Sequence, residues 1–404
     1  FRIFLARELD PMDYGRYALF VSVFATAFLF ASFKIDLTNL VFLSKNKDKS
    51  SNKITSFSIN SIYSVTPLLI LSSFLVILVS FHNTFNNFNV IFLIFLTFIL
   101  YTFSLLSKGI FQSRKNFYNS SLIDAITGFS RLFLAIFILF FIQKLTLDLS
   151  ISIFLIGFIL SGLLSIYLLG KDFFTDIDFT FRKDLVTLFY HNSFWFSVSY
   201  LSIRLILLSP LLIVVDISEG DYLIVAIFDI AILLLQVSNL ILISIPMVVI
   251  PYLYSEKENK DISNLLSFKP LMSGLLISVF SIAIFFKTDL VSNTLSSFEL
   301  DAYLESVDIF QILSLAIPFQ FISYVLHSVL VSKGRIMATS LCDLFSLFFA
   351  FFLFFFYFYF KKIYYINVLI HLYESNPLTI LALVVTGSLI LRFILLSGLY
   401  YRSR

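Results

Sequence analysis

Long apolar runs separated by short polar connectors constrain this chain more than any other feature of its sequence. The hydrocarbon core of a bilayer is about 30 Å thick, and a helix needs about 20 apolar residues to cross it. Only 13% of the residues are charged, and no soluble core could bury the 53 Phe residues. We therefore expect an all-α polytopic membrane protein with about eleven spans, at 17–43, 58–80, 90–107, 120–142, 149–170, 188–215, 222–250, 270–286, 305–332, 336–360 and 377–400.

Positive charge in the connectors predicts the orientation of these spans. Most of the 28 Lys and Arg residues fall in alternate connectors, and we assign Lys108 to one of them. By the positive-inside rule this set is cytoplasmic, which places the C-terminus inside and Phe1 outside. An even total of twelve spans, with both ends inside, requires one further helix before Phe1. The cation-rich set is 44–57, 108–119, 171–187, 251–269, 333–335 and the C-terminal tail.

The longest polar connector divides the chain into two parts. We expect a two-lobe helical bundle with an N-terminal lobe at 1–170, a cytoplasmic linker at 171–187 and a C-terminal lobe at 188–404. The first lobe has five spans, or six with the expected additional helix, and the second has six. Two similar halves are a common transporter plan, in which the substrate site lies between them near the middle of the membrane.

Arg131 lies close to the middle of the span 120–142. A cation at that depth costs from ~3 kcal/mol on insertion scales to more than ~10 kcal/mol in simulations of an isolated helix. Asp124 lies seven residues earlier, on the same face of the helix. This helix therefore has a polar stripe, and such a stripe requires a water-filled cavity or a charged partner.

Charged and polar residues also fall inside the other predicted spans. Two interpretations remain open: a water-filled cavity with a cationic lining for an anionic substrate, or structural ion pairs between neighbouring helices. Lys34 and Arg392 could also reach the membrane interface with their long side chains. The cations are Lys34, Arg131, Arg204 and Arg392, the acids are Asp36, Asp124, Asp229 and Asp343, and the polar companions are Gln236, Asn239, Gln320 and His327.

Several kinds of chemistry lack their sequence signatures. The single cysteine, Cys342, excludes an internal disulfide and a cysteine-based metal cluster. The sequence has no phosphate-binding GxxxxGK[ST] loop, no HExxH and no GxSxG motif. We expect a protein that is not an enzyme, has no cofactor or metal, does not bind nucleic acid and does not drive transport with its own ATP site.

Three short motifs resemble a known family. In the stretch Ala6–Ala18, the residues Arg7, Leu9, Pro11, Tyr14 and Gly15 match an Arg-x-Leu-Gly-Pro-x-x-Tyr-Gly pattern, with Asp10 in place of the usual Gly. That pattern links the first two helices of the multidrug/oligosaccharidyl-lipid/polysaccharide exporter superfamily. The chain most resembles its polysaccharide and O-antigen flippases. The other motifs are Gly220-Asp-Tyr222 with Ala226, and Ser332-Lys-Gly334-Arg335 at a cytoplasmic turn.

The resemblance implies translocation of a lipid-linked oligosaccharide, typically on undecaprenyl diphosphate, across the bacterial inner membrane, with coupling to an ion gradient. It implies a multi-pass protein with two six-helix lobes, in contact with membrane lipid, and polysaccharide-assembly proteins are candidate partners of what we expect to be a monomer. Because guanidinium groups suit phosphate oxygens, we expect Arg131 and Arg204 to contact the head group. Asp124 and Asp229 are candidates to hold these arginines or to take a coupling proton.

Three other functions remain open from the sequence. A drug/cation antiporter of the same superfamily would favour an acid-rich cavity. A membrane glycosyltransferase or polysaccharide polymerase could use an acidic pair such as that in Glu8-Leu9-Asp10, although such enzymes usually have a large external loop. A structural or assembly subunit would pair its intramembrane charges and leave no cavity.

Overall fold

The structure is a computed structural model that describes residues 1–45, 51–83, 88–175, 180–217, 220–236, 287–363 and 377–402. Within these residues the fold is helical throughout. The helices are α1 Arg2–Glu8, α2 Pro11–Ser32, α3 Ile35–Lys45, α4 Ser51–Asn83, α5 Phe88–Ser113, α6 Phe117–Ile142, α7 Leu147–Thr175, α8 Lys183–Ile217, α9 Tyr222–Gln236, α10 Thr288–Ser297, α11 Ser306–Ser314, α12 Ile317–Ser332, α13 Ile336–Ile363 and α14 Pro377–Tyr401, with a 3-10 turn at Asp301–Tyr303.

The predicted all-α membrane fold is confirmed. Among the described residues, 8 helical segments are long and apolar enough to cross a bilayer. The predicted span 270–286 and the second half of 222–250 lie outside the described residues. The segments are Pro11–Ser44, Thr55–Leu78, Asn89–Ser113, Phe117–Ile142, Leu147–Gly170, Lys183–Val215, Ile336–Tyr357 and Leu378–Tyr401.

Two predicted spans are not single straight helices. The span 17–43 is interrupted between α2 and α3, where Phe33 and Lys34 adopt left-handed backbone angles with φ of 45° and 48°. The span 305–332 consists of α11 and α12, which bend by 47° at a short break. Pro318 stands in the first turn of α12, where proline is favoured because its missing amide would have no partner within the helix. Both predicted spans are therefore present among the described residues, and each contains a break.

The resembling motifs lie at helix starts and turns. Asp10 caps α2, and its side chain accepts a hydrogen bond from the Met12 amide at 3.1 Å. Such a cap satisfies an amide that the first turn of a helix leaves unpaired, which explains how aspartate serves in place of glycine. Gly220 and Gly334 have φ of 90° and 76°, which a residue without a Cβ adopts readily. Each glycine lies two residues before the start of a new helix, α9 or α13.

The chain forms two compact units, Phe1–Ser197 and Val198–Arg404. The core of the first unit is aromatic. The ring of Phe24 on α2 lies 5.2 Å from Phe98 on α5, and 5.6 Å and 6.0 Å from Phe154 and Phe158 on α7. Phe158 in turn lies 4.1 Å from Tyr101. Such ring pairs add about 0.5–1.5 kcal/mol each beyond their burial, so α7 is held firmly against α2 and α5.

The start of α8 is attached to α4 within the first unit. The backbone amide of Arg182 donates to the Asn60 side chain at 2.8 Å, and the Tyr190 hydroxyl donates to the Ser64 carbonyl at 2.6 Å. These bonds fix the chain where it leaves the predicted linker. The placement of the lobe boundary at 171–187 stays a prediction.

The second unit is built around α14. This helix packs against α11, α12 and α13. The Thr386 hydroxyl donates across the helix contact to the Ile312 carbonyl at 3.2 Å. The two segments on either side of the α11–α12 bend therefore share one supporting helix.

Candidate functional site

Arg131 lies halfway along α6, where its guanidinium is held by α7. Its Nε donates to the Phe154 carbonyl at 3.1 Å. Its Cζ lies 4.4 Å and 4.0 Å from the ring centroids of Phe154 and Phe158. A cation over an aromatic face is stabilised by about 0.5–2 kcal/mol. In the part of the chain that the structure describes, no carboxylate pairs with this arginine, and its buried Nη2 has no hydrogen-bond partner.

Gly157 makes room for the Arg131 side chain on α7. A Cβ at this position would lie 2.6 Å from Cγ and 2.7 Å from Nε of Arg131, and 3.0 Å from the Thr127 carbonyl oxygen. These distances are too short for a methyl group. A glycine here is therefore a condition for the observed position of the guanidinium.

Asp124 forms an ion pair with Lys108, not with Arg131. The assignment of Lys108 to a connector was wrong, because α5 continues to Ser113 and contains it. The Lys108 side chain is 9% exposed, whereas that of Asp124 is 55% exposed. Burial of this lysine explains why it needs a carboxylate partner. In the sequence, Lys108 lies at the end of an apolar run, and this position suggested that its side chain lies at the membrane surface.

The exposed part of α6 has two chemically different faces. Phe129, Phe133 and Phe140 are strongly exposed on one of them. Ser121, Asp124 and Gly128 are exposed on another, spaced at helical intervals that lead to Arg131. A carboxylate within a membrane span faces water or a protein interior, because lipid cannot solvate it. We call Ser121, Asp124, Gly128 and Arg131 the polar strip of α6.

Lys34 and Asp36 pair with each other at the break between α2 and α3. Their Nζ and Oδ2 atoms are 3.3 Å apart. Asp36 Oδ1 is buried without a hydrogen bond among the described residues. Asn39 follows one turn later and accepts a hydrogen bond from Ser58 at 3.2 Å. The helix interruption thus places a second ionic group in the first unit, and Lys34 lies with an acid instead of extending to the interface.

In the second unit, Asp343, Arg392 and His327 form one buried cluster. Arg392 Nε donates to Asp343 Oδ1 at 2.6 Å. Asp343 Oδ2 accepts a hydrogen bond from Ser199 and lies 3.8 Å from His327 Nδ1. The guanidinium also faces the Tyr324 ring at 5.3 Å. Arg392, Asp343 and His327 are 1%, 0% and 2% exposed, so the arginine does not extend to the interface.

The remaining predicted site residues are placed on three helices. Arg204 is half-buried on α8, and Asp229 is buried on α9, with the half-buried Gln236 two turns further. Gln320 is buried on α12, and its Oε1 has no hydrogen-bond partner in the described parts of the chain. Asn239 lies outside the described residues.

The described ionisable groups divide into two kinds of chemistry. In the first unit, Arg131 is held by neutral groups, and the Lys108–Asp124 pair carries a half-exposed carboxylate. In the second, the cluster around Asp343 is enclosed. Within the described residues, no group of three His, Cys, Asp or Glu side chains could hold a metal ion. Among the described residues, the first unit therefore contains an intramembrane cation, Arg131, without a carboxylate partner.

Comparison with known proteins identifies a matching sequence family and structures of similar fold. Residues 1–257 match the family model described as "Polysaccharide biosynthesis protein". No curated protein matches the sequence significantly. One similar structure is an inward-facing multidrug resistance MATE family transporter of the MOP superfamily, with a TM-score of 0.71, 13% identity, and coverage of 100% of this chain and 94% of that one.

Two further structures support the same fold. An outward-facing MATE family transporter has a TM-score of 0.69 and 13% identity, over 100% of this chain and 91% of that one. A MOP superfamily transporter from Pyrococcus furiosus, described as having a binding pocket of reverse polarity that suggests a different function, has a TM-score of 0.71 and 12% identity. It covers 99% of this chain and 90% of its own. At these identities the likeness establishes the fold, and the family match over most of the chain establishes the family.

Proposed function

The chain belongs to the polysaccharide biosynthesis protein family and has the transporter fold of the MOP superfamily, and from this premise we propose that it translocates a lipid-linked oligosaccharide across the bacterial inner membrane. The substrate is an oligosaccharide on a polyprenyl diphosphate carrier. It moves by alternating access, and an ion gradient supplies the coupling. The C-terminus is cytoplasmic in this proposal.

The observation that carries the proposal is the environment of Arg131. Its guanidinium is placed by a backbone carbonyl and two phenylalanine rings, and among the described residues it has no carboxylate partner. Arginine binds phosphate oxygens through paired, charge-assisted hydrogen bonds. A lipid diphosphate supplies such oxygens while its prenyl tail stays in lipid. Arg131 thus meets the first requirement of a head-group site.

The polar strip of α6 supports the same proposal. Asp124 and Gly128 are exposed on the same helix as Arg131, so the strip offers polar groups to a ligand. Lys34 adds positive charge in the first unit, and Arg204 is the head-group candidate of the second unit. Carboxylates at Asp124, Asp36 and Asp229 take part in ion coupling. Arg392 serves mainly to neutralise Asp343, which it contacts at 2.6 Å.

A drug/cation antiporter is the alternative with the same fold, as the multidrug transporters among the similar structures illustrate. An acid without a cationic partner would favour the binding of an organic cation. In the described residues, the acid exposed on the polar strip already pairs with Lys108, whereas Arg131 pairs with no acid. This balance of charge favours an anionic substrate.

The test uses Arg131→Ala and Arg204→Ala in cells that depend on the chain for surface polysaccharide. We expect both variants to accumulate in the membrane in folded form and to stop export, because each removes a head-group contact. Arg131→Lys, which keeps the charge but loses the paired donors, should retain part of the activity. Normal surface polysaccharide in both alanine variants would contradict the proposal.

A further inference from the structure

The Lys108–Asp124 pair has a property that a purely structural ion pair would not need. Its cation is buried and its carboxylate is half exposed, with side chains 9% and 55% exposed. Asp124 therefore lies between Lys108 and the space beside the polar strip. An anion in that space encounters the carboxylate before it can reach the lysine. Like charges at this distance repel each other, so the carboxylate opposes anion binding as long as it is ionised.

Lys108 and Arg131 border the same group of rings. Lys108 Nζ lies 5.9 Å from the centroid of the Tyr101 ring, which is 4.1 Å from the Phe158 ring, over which Arg131 lies at 4.0 Å. Asp124 and Arg131 are seven residues apart on α6, or roughly 10 Å along the helix axis. Lys108 and Arg131 thus belong to one connected group of side chains in the first unit. A diphosphate, which has two charged phosphates, matches two cations better than one.

On the basis of the proposed function, we propose that Lys108 is a second head-group residue, and that protonation of Asp124 releases it to bind the diphosphate. A proton passes from solvent to the Asp124 carboxylate, the ion pair separates, and the Lys108 ammonium donates to a phosphate oxygen. Binding of the anion and of a proton are therefore linked, and each strengthens the other. This linkage gives the transporter a way to couple head-group binding to a proton gradient.

Other charged groups near this pair do not replace Asp124 in that role. Tyr101 shares α5 with Lys108, and Asp36, which is paired with Lys34, contributes to the electrostatic environment of Lys108. Arg131 lies on the same helix as Asp124. Among the described side chains, α7 contributes Asp148 near its start and the strongly exposed Tyr167 towards its end. Of the acids in this group, Asp124 is the one in direct contact with Lys108.

The experiment measures binding of a farnesyl diphosphate monosaccharide to the full chain in detergent by calorimetry. This diester has no phosphate proton to lose near neutral pH, unlike a phosphate monoester. Comparing buffers of different ionisation enthalpy gives the number of protons taken up on binding. We expect uptake approaching one proton in the wild type, and affinity that weakens with rising pH by up to about tenfold per unit, the limit for one linked proton.

Four variants identify the groups responsible. Asp124→Asn should take up no proton and should bind at alkaline pH about as tightly as the wild type does at acidic pH, because the lysine is already released. Lys108→Gln should bind about tenfold more weakly at acidic pH, and Lys108→Arg should retain the affinity of the wild type and its proton uptake. Asp184→Asn is the matched control, since it removes an acid that pairs with Arg182 in the same unit. It should behave like the wild type.

The outcomes separate this inference from the proposed function. If the wild type does not bind the probe, or if Arg131→Ala binds it unchanged, the proposed head-group site is wrong and Lys108 has no head group to share. If the wild type binds but Asp124→Asn takes up protons as before, only the role of Asp124 and Lys108 is overturned. Loss of the uptake in Asp36→Asn instead would transfer the role to Asp36. Because Asp124→Asn is isosteric at a half-exposed position, it tests the inference even if Lys108→Gln does not fold.

Discussion

Arg131 and Arg392 are two intramembrane arginines with opposite surroundings. Arg392 contacts Asp343 at 2.6 Å and is 1% exposed, and the same aspartate accepts from Ser199 and lies near His327. Arg131 has a carbonyl and two aromatic rings instead. Both arrangements lower the cost of a cation within the membrane. Only the arrangement around Arg131 leaves the positive charge available to a ligand. The charge of Arg392 is already neutralised by Asp343.

The comparison shows that a buried charge has to be interpreted through its partners. Arg392 and Arg131 are indistinguishable by residue type, and both lie within apolar runs. The structural interpretation, in which a cation pairs with an acid on a neighbouring helix, describes Arg392. The functional interpretation fits Arg131. The two interpretations therefore apply to different cations of the same chain.

The largest expected effect is on stability, in the second unit. Arg392→Ala leaves the Asp343 carboxylate buried without its cation, and losing one member of such a pair costs about 3–5 kcal/mol. Arg131→Ala should lower the free energy of unfolding by less than about 2 kcal/mol, since it removes a cation–π contact and leaves no buried acid without its partner. Chemical unfolding of purified protein in detergent measures both.

A double variant serves as the control for this difference. Asp343→Asn combined with Arg392→Ala removes both charges and should recover part of the stability that Arg392→Ala loses. If Arg131→Ala destabilises the protein as much as Arg392→Ala does, the two arginines are equivalent structural residues and the comparison fails.

A smaller effect is expected from Gly157→Ala in the first unit. The added methyl group would lie within 2.6 Å of Arg131 Cγ, so the guanidinium must leave the faces of Phe154 and Phe158. Crowding of a packed site costs about 1–3 kcal/mol. We expect a clear fall in polysaccharide export with folded protein still present in the membrane. Gly398→Ala, at an exposed position of α14 where a Cβ has no neighbour within 4 Å, is the control and should export normally.

The sequence predicted the features that depend on local composition. The lengths of the apolar runs located the described spans. Arg131 lies in the middle of one of them, where a cation is costly in free energy, and this cost identified it as a candidate functional residue. Asp124 was recognised as part of the same stripe. These inferences depend only on the spacing of residues along a helix and on the thickness of a bilayer.

Features that depend on packing between helices could not be predicted. The partner of Asp124 is Lys108, sixteen residues away on another helix, and helical spacing suggested Arg131. The break after α2 falls at Phe33 and Lys34. Neither residue is a glycine or a proline, so the sequence does not predict a break there. The α11–α12 bend was easier to predict from the sequence, because Pro318 lies next to it. Proline alone does not establish a bend, since it also occurs within the continuous helices α4 and α8.

The most direct test of the central claim is the reactivity of a cysteine beside Arg131, in a Cys342→Ala background. Gly128→Cys should react with a charged, water-soluble thiol reagent, and the farnesyl diphosphate monosaccharide should slow that reaction. Ser199→Cys, beside the enclosed Asp343, should remain unreactive with and without the probe. A Gly128→Cys variant that stays unreactive, or that reacts at a rate the probe does not change, would contradict the assignment of the polar strip of α6 as the head-group site.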